Sequence, residues 1–199
     1  MRKDFGAKTR LYPMPVMILA AYGKDGTPLA MNAGWVGVAS KDTVFVGLAR
    51  NHRTTQYILE SGAFSLSPAT ADQLVACDYV GIESGKDVAD KMERSGFHLH
   101  RAEHVNAPVP EELPMTLECE LISYDADREL LLGRVVNVSA DERILGETGR
   151  IDADKARFLT LDPGSLRYRT VGPVVGQAFH DGLMLSEKHQ ARPFDDQKA

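Results

Sequence analysis

In the stretch "LARNHRTTQYILESG", Arg50, His52 and Arg53 stand just before Thr54 and Thr55, where an apolar run gives way to a helical pattern. The chemistry these residue types do together is anion binding. The first turn of a helix carries N–H groups without intrahelical acceptors, at the positive end of the helix dipole. A guanidinium adds a forked pair of donors that matches phosphate oxygens, and threonine hydroxyls add more. The same residues also make an ordinary capped helix with solvated basic side chains, Thr54 serving as N-cap and Gly62 as the stop. Alone, the segment leaves both readings open.

A second stretch, "MNAGWVGVAS", is built of small residues around Asn32, Ala33, Gly34, Trp35, Val36 and Gly37. Such residues pack a strand weakly but let something flat approach the backbone closely. Asn32 can donate and accept, which suits the edge of a heterocycle. Trp35 can stack or cover. A tightly packed barrel corner with glycine at its bends reads equally well. A third stretch, "DYVGIESGKDVADK", brackets Ser84 between Gly81 and Gly85, with Lys86 next and Lys91 on a following helix. It offers a second anion contact or an ordinary helix-entry loop. The GxxxxGK[ST] spacing of a phosphate-binding loop is absent.

Three histidines fall in "HLHRAEH". On a strand His98 and His100 share a face and, with His104, could ligate a metal. No carboxylate or cysteine at ligand spacing accompanies them. An exposed face opposite Phe97 and Leu99 is the favoured reading, and no metal is expected. Cys119 in "LECEL" reads as a packed small hydrophobe. Neither a GxSxG elbow nor an HExxH helix is present, so no catalytic side chain is named.

These residues need a scaffold. The chain has 199 residues, 43% of them hydrophobic and 26% charged, which fits one domain with a good core. A net charge of -5 leaves no excess of Lys and Arg to neutralise nucleic-acid or anionic-membrane phosphates. No apolar run reaches the length of a membrane span, and "MRKDFGAKTR" lacks the apolar centre of a signal peptide. Cys77 and Cys119 do not read as a disulfide framework. A cytoplasmic protein with two reduced, buried thiols is expected.

The pattern is strand-rich. "VMILAAYG" turns at "KDG" into "PLAMNAGWVGVAS", then "TVFVGLAR" with Val44, Val46 and Leu48 on one face. "TTQYILESG" is a short helix and "AFSLS" a strand. "ADQLVACDYVG" and "DVADKMERSG" read as helices, "FHLHRAEHV" as a strand and "NAPVPEELP" as a proline-rich loop. "MTLECELISYD" and "RELLLGRVVNVS" are strong strands joined by a turn at Ala126 and Asp127. "IDADKARF" reads as helical, "DPGSLRYRTVGPVVGQAF" as irregular, and the tail after about Leu185 as polar and loosely held. Short strands with helices inserted out of alternation predict an antiparallel barrel or sandwich.

In order and spacing, "YPMPVMILAAYGKDGTPLAMNAGWVGVAS", "NHRTTQYILESGAFSLS", "DYVGIESGKDVADKMERSGF" and "LPMTLECELISYD…LLLGRVVNVSADERIL" resemble the flavin reductase-like, FMN-binding split-barrel family, including its flavoredoxin branch. The similarity covers residues 11–145, and "YRTVGPVVGQAF" matches the family's C-terminal segment more loosely. The resemblance implies a mainly β fold, a six-stranded antiparallel split barrel with inserted helices. It implies a single domain over residues 1–199, with 146–199 as extension and tail. It further implies a homodimer with one FMN per subunit near the dimer interface. The isoalloxazine edge would lie against residues 32–38 and the phosphate at the helix entry, residues 50–55. Ser84, Gly85, Lys86 and Lys91 would lie close by. Two departures stand out: Asp90-Lys91-Met92 where relatives carry "DKF", and "SLSPA" where the strand after the phosphate helix often ends in Asn.

The activity implied is NAD(P)H-dependent flavin reduction, with hydride passing from NADH or NADPH to the flavin. Two alternatives remain. One is a flavoredoxin-like FMN electron-transfer protein fed by a redox partner protein. The other is a non-catalytic flavin- or haem-binding module. No GxGxxG follows a strand, so the choice between NADH and NADPH is not readable.

Overall fold

The structure is a computed structural model and describes residues 1–185. The expected polar tail after Leu185 lies outside them.

A two-residue strand, β1 (Met14–Pro15), precedes two hairpins. The first joins β2 (Met17–Tyr22) to β3 (Pro28–Ala33) across the "KDG" turn, and the second joins β4 (Val36–Ser40) to β5 (Thr43–Gly47). In β5, Val44 and Val46 are buried and their neighbours half-buried, the period-two signature of one face on a core. β2 is buried on both faces because it separates two cores: Leu19 and Ala21 join one, Ile18 and Ala20 the other. Helix α1 (Arg53–Ser61), strand β6 (Ala63–Pro68), and helices α2 (Leu74–Ile82) and α3 (Lys91–Ser95) follow. Then come the small hairpin β7 (Leu99–Arg101) and β8 (Pro108–Pro110) and the long hairpin β9 (Met115–Asp125) and β10 (Leu130–Ala140). The one-turn helix α4 (Ala153–Ala156) and strands β11 (Leu159–Asp162) and β12 (Arg167–Thr170) complete the elements used below.

The main sheet has seven antiparallel strands in the order β3-β2-β6-β9-β10-β5-β4. Its two end strands, β3 and β4, are joined by Gly34 and Trp35 alone. A sheet whose opposite edges are two residues apart must curl. With β3 and β4 counted as halves of one bent strand, this is the six-stranded split barrel. The bend is pinned where Gly47 N–H donates to the Trp35 carbonyl at 2.7 Å. Inside the curl, Leu19, Val46, Phe64, Leu66 and Leu131 are fully buried. Outside it, Ile18, Cys77, Val80, Phe97 and Leu159 form a second core under α2 and the small sheet β1-β11-β12.

Several local expectations are corrected. "PLAMNAGWVGVAS" is two strands rather than one, broken at the bend. Helix α1 begins at Arg53 with His52 at the N-cap and no side-chain cap bond. Thr54 cannot cap, because it and Thr55 lie within the helix and are buried at 2% and 0% exposure. Gly62 does end α1, in the left-handed region at φ 72°. "DVADKMERSG" is helical only over α3. "FHLHRAEHV" is strand only over β7, and the proline-rich loop supplies its partner β8, where His100 faces Val109. Prolines are tolerated there because the hairpin stands at a sheet edge. "IDADKARF" is helical only over α4. "RYRT" is not irregular: it pairs with β11 as β12.

Candidate functional site

The N-terminus of α1 faces the end of β3 and the C-terminal turn of α2 across a cleft of about 300 Å³. His52, Arg53 and Thr54 come from the helix entry, Met31 and Asn32 from β3, Val80 and Gly81 from α2, and Ser84 and Gly85 from the loop beyond. Lys91, at the start of α3, closes the floor. The close approach of α2 to β3 depends on Gly81, where a Cβ would stand 2.8 Å from Asn32 Cβ. Asn32 is held in place by α2, its Nδ2 donating to the Cys77 carbonyl at 3.1 Å.

The helix entry is built to receive negative charge. No side chain caps α1, and its first turn contains no acidic residue. Its leading N–H groups therefore lack both an intrahelical acceptor and a local carboxylate. The Arg53 guanidinium lies 5.4 Å over the Tyr57 ring, and its Nε donates to Tyr57 Oη at 3.2 Å. That leaves its terminal nitrogens free of any carboxylate among the described residues. Thr55 Oγ1 is a buried hydroxyl with no partner among the described residues.

Lys91 is the unusual member. It is 2% exposed, and its Nζ donates to the Ala30 carbonyl at 2.8 Å. The N–H of Ala30 donates to Met92 Sδ at 3.3 Å. Lys91 and Met92 thus satisfy both backbone groups of Ala30, which lies on β3, an end strand of the sheet. Burial pushes the Lys91 amine down to about 8, with Glu83 pulling it part of the way back.

Asn32, His52, Arg53, Thr54, Ser84, Gly85 and Lys91 converge on the cleft from four segments. The other expected site residues do not line it. Trp35 is 62% exposed at the barrel bend, Ala33 is buried, and Gly34 and Val36 flank Trp35. Gly37 leaves room for the Phe45 ring. Arg50 is exposed, Thr55 is buried behind Thr54, and Lys86 lines a neighbouring cleft. Beyond the expected set, Leu29, Met31 and Val80 line the cleft. Behind Asn32, Tyr168 on β12 donates to Asp78 Oδ1 at 2.6 Å, and burial together with Asp78 pushes its phenol up to about 12. Tyr168 sits in a stretch read as irregular, so no sequence signal joined it to α2.

The three histidines diverge. His98 Nδ1 lies 2.6 Å from Glu112, His100 Nδ1 3.8 Å from Glu111 and His104 Nδ1 3.2 Å from Glu118. Among the described residues no group of three or more His, Cys, Asp or Glu side chains could hold a metal ion. Cys77 and Cys119 are free and buried, and burial pushes their thiols up to about 11 and about 12. Among the described residues no helix is long and apolar enough to cross a membrane.

The curled antiparallel barrel and its anion-receptive cleft define a flavin reductase-like domain. The chain belongs to that family: the model described as "Flavin reductase like domain" matches residues 9–159. Among solved structures, the flavoredoxin of Desulfovibrio vulgaris (Miyazaki F) is similar at 33% identity and a TM-score of 0.87, over 92% of this chain and 100% of that one. A flavoredoxin from Methanosarcina acetivorans is similar at 28% identity and a TM-score of 0.81, over 93% and 98% of the two chains. An FMN-binding domain of a flavin reductases-like enzyme from Shewanella baltica shares the fold at 22% identity and a TM-score of 0.73, over 82% and 88%. No curated protein matches the chain.

Proposed function

We propose that this protein is an FMN-binding oxidoreductase, reduced by NADH or NADPH, that passes hydride from the nicotinamide to the flavin. One observation carries the reading: a single cleft joins an uncapped helix N-terminus bearing Arg53 to a buried amine, Lys91. The donor set fits FMN. Arg53, Thr54, His52 and the first N–H groups of α1 would hold the phosphate. Asn32 and Lys91 would meet the polar edge of the ring, with Ser84 and Gly85 along the side chain between. Bound FMN supplies the two-electron chemistry, and the protein supplies orientation and charge. Lys91 gives positive charge where the reduced ring is electron-rich, and its burial keeps that charge unscreened by water. The residues around Trp35 would contribute from the barrel bend.

A homodimer belongs to the same proposal. Trp35 at the bend, Val38 on β4, and Val136 and Val138 on β10 are exposed apolar side chains. A second copy covering them would also shield the ring end of the cleft. We infer a cytoplasmic location, in keeping with two free buried thiols.

A second reading is favoured by the 33% identity to a flavoredoxin over 92% of this chain. In it, the protein carries electrons from a redox partner without direct turnover of nicotinamide. Visible absorption separates the readings under anaerobic conditions. The flavin band of FMN-loaded protein bleaches with NADH or NADPH if the proposal holds. A band that persists with both donors replaces the reductase with the carrier. No spectral change on adding FMN would overturn the cofactor.

A further inference from the structure

Asn32 reaches the cleft from β3, and three contacts hold it there. Gly81 lets α2 pack directly against its Cβ. Its Nδ2 donates to the Cys77 carbonyl at 3.1 Å. The third contact is Tyr168, whose hydroxyl the Asn32 side chain also meets. Tyr168 comes from β12, an edge strand held by β11. It lies beyond residue 159, where the match to the family ends.

An amide has a donor end and an acceptor end, and these contacts decide which end faces where. A carbonyl can only accept, so the Asn32 atom facing Cys77 is the nitrogen. The Tyr168 hydroxyl has one proton, and Asp78 Oδ1 accepts it at 2.6 Å. What that hydroxyl offers Asn32 is therefore a lone pair, which again requires an N–H. The titration of the phenol agrees: Asp78 raises it, whereas Asn32 lowers it, as an N–H donor that stabilises a phenolate does. With its N–H groups engaged by Cys77 and Tyr168, Asn32 keeps only Oδ1 free. That oxygen has no donor among the described residues, yet it is not one of their buried orphans, which are Thr55 Oγ1 and Tyr79 Oη. It is therefore open to the cleft that Asn32 lines.

We propose that Tyr168, held by Asp78, is a positioning residue that locks the Asn32 amide with its oxygen toward the cleft, so that the ligand must present an N–H there. The proposal rests on the flavin reading of the cleft. The polar edge of an oxidised flavin ring carries one N–H, at its third nitrogen, between two carbonyls. Without Tyr168 the amide keeps one partner and can swing to offer its second N–H to either carbonyl. Tyr168 does not itself line the cleft, so β12 serves the site through Asn32 alone.

The test is a double-mutant cycle on FMN binding, read by flavin fluorescence in Tyr168→Phe, Asn32→Ala and the pair. Tyr168→Phe deletes one oxygen. It raises the FMN Kd about fivefold or more in the wild-type background, and less than about twofold once Asn32 is replaced by alanine. Equal losses in both backgrounds, or no loss in the first, overturn the proposal, because a merely structural tyrosine acts whether or not Asn32 is present. FMN methylated at the third ring nitrogen lacks the N–H and binds wild type at least tenfold more weakly than FMN. Tyr168→Phe narrows that ratio at least threefold, and equal affinities in wild type overturn the orientation of the amide. Should Tyr168→Phe fail to fold, Asp78→Ala, which frees the hydroxyl, takes its place in the cycle with the same two outcomes. Failure of wild type to bind FMN overturns the flavin reading instead. Hydrogen exchange of the Asn32 side-chain amide, followed by NMR in the flavin-free protein, then decides the proposal by itself. Exchange quickened at least tenfold by Tyr168→Phe supports the lock, and unchanged exchange overturns it.

Discussion

Lys91→Met separates what the buried amine costs the fold from what it holds together. Burial moves the amine from its ordinary 10.5 down to about 8. At roughly 1.4 kcal/mol per pH unit, that gap is about 3 kcal/mol against the charged form. The unfolded chain therefore keeps this proton more tightly than the folded one. Below about pH 8 the whole cost is present, and it is relieved as pH rises toward 10.5, so this group makes stability climb with pH. The variant removes the cost but leaves the Ala30 carbonyl, bonded to Nζ at 2.8 Å, without its partner. An orphaned buried acceptor costs about 1–3 kcal/mol. At pH 7 the two terms nearly cancel, and the variant should equal wild type or exceed it by up to about 2 kcal/mol. By pH 9.5 wild type should have gained about 2 kcal/mol on the variant. Urea unfolding followed by circular dichroism, run on both proteins from pH 7 to 9.5, reads this directly. The raised thiols of Cys77 and Cys119 weaken the fold above their ordinary 9.0, but they are common to both proteins and cancel in the difference. A difference that stays flat across this range would refute the reasoning, because it would mean that the amine is as well solvated folded as unfolded.

Arg53→Ala should raise the FMN Kd about 10- to 150-fold, since a charge-assisted bond to phosphate is worth roughly 1.5–3 kcal/mol; an unchanged Kd in a fluorescence titration would remove the phosphate from α1. Cys77 and Cys119 should resist iodoacetamide in the native protein at pH 8 and react once it is unfolded in urea, as mass spectrometry would show. Gly133→Ala should cost about 1–3 kcal/mol in urea unfolding, because its Cβ would collide with the Phe64 ring inside the barrel.

Local periodicity made the strands of the curl readable, and where it failed a tertiary cause can be named. Val44, Val46 and Leu48 announce their face because alternate burial needs no knowledge of the partner. Pro108 and Pro110 hide a strand because proline argues against a ladder, yet an edge hairpin asks little of their missing N–H groups. Tyr168 and its neighbours are polar and follow the Pro163-Gly164 turn, and they form a strand only because β11 lies alongside. Residue type alone makes Thr54 a cap, but it lies buried within α1 and the N-cap position falls to His52, which makes no side-chain cap bond. At the site, Arg53 and Thr54 were legible because a basic residue at a helix start has a mechanism of its own. That Lys86 lines the neighbouring cleft while Lys91 is buried under β3 depends on how the loop between α2 and α3 runs. A lysine in "ADKME" looks solvated until α3 is found lying against a sheet edge.

The bend at Gly34 and Trp35 also sets an order of events on the ribosome. Both margins of the finished sheet lie in the first hairpins, complete by Gly47, whereas the strands that belong at its centre arrive with Ala140. Until then β5 waits for β10 and β6 waits for β9. Roughly 70 residues separate the end of β6 from the end of β10, and at roughly 5–20 residues per second their synthesis takes on the order of 4–14 s. For that interval the nascent chain holds two unpaired strand edges, the feature that most readily recruits a wrong neighbour. Strand β6 carries Ser65 and Ser67 at alternate positions, hydroxyls that find Pro108 and Thr116 only after the later segments exist. The same closure that leaves the mature barrel with no free margin at the bend thus concentrates its exposure in time, in the seconds before the last hairpin is made.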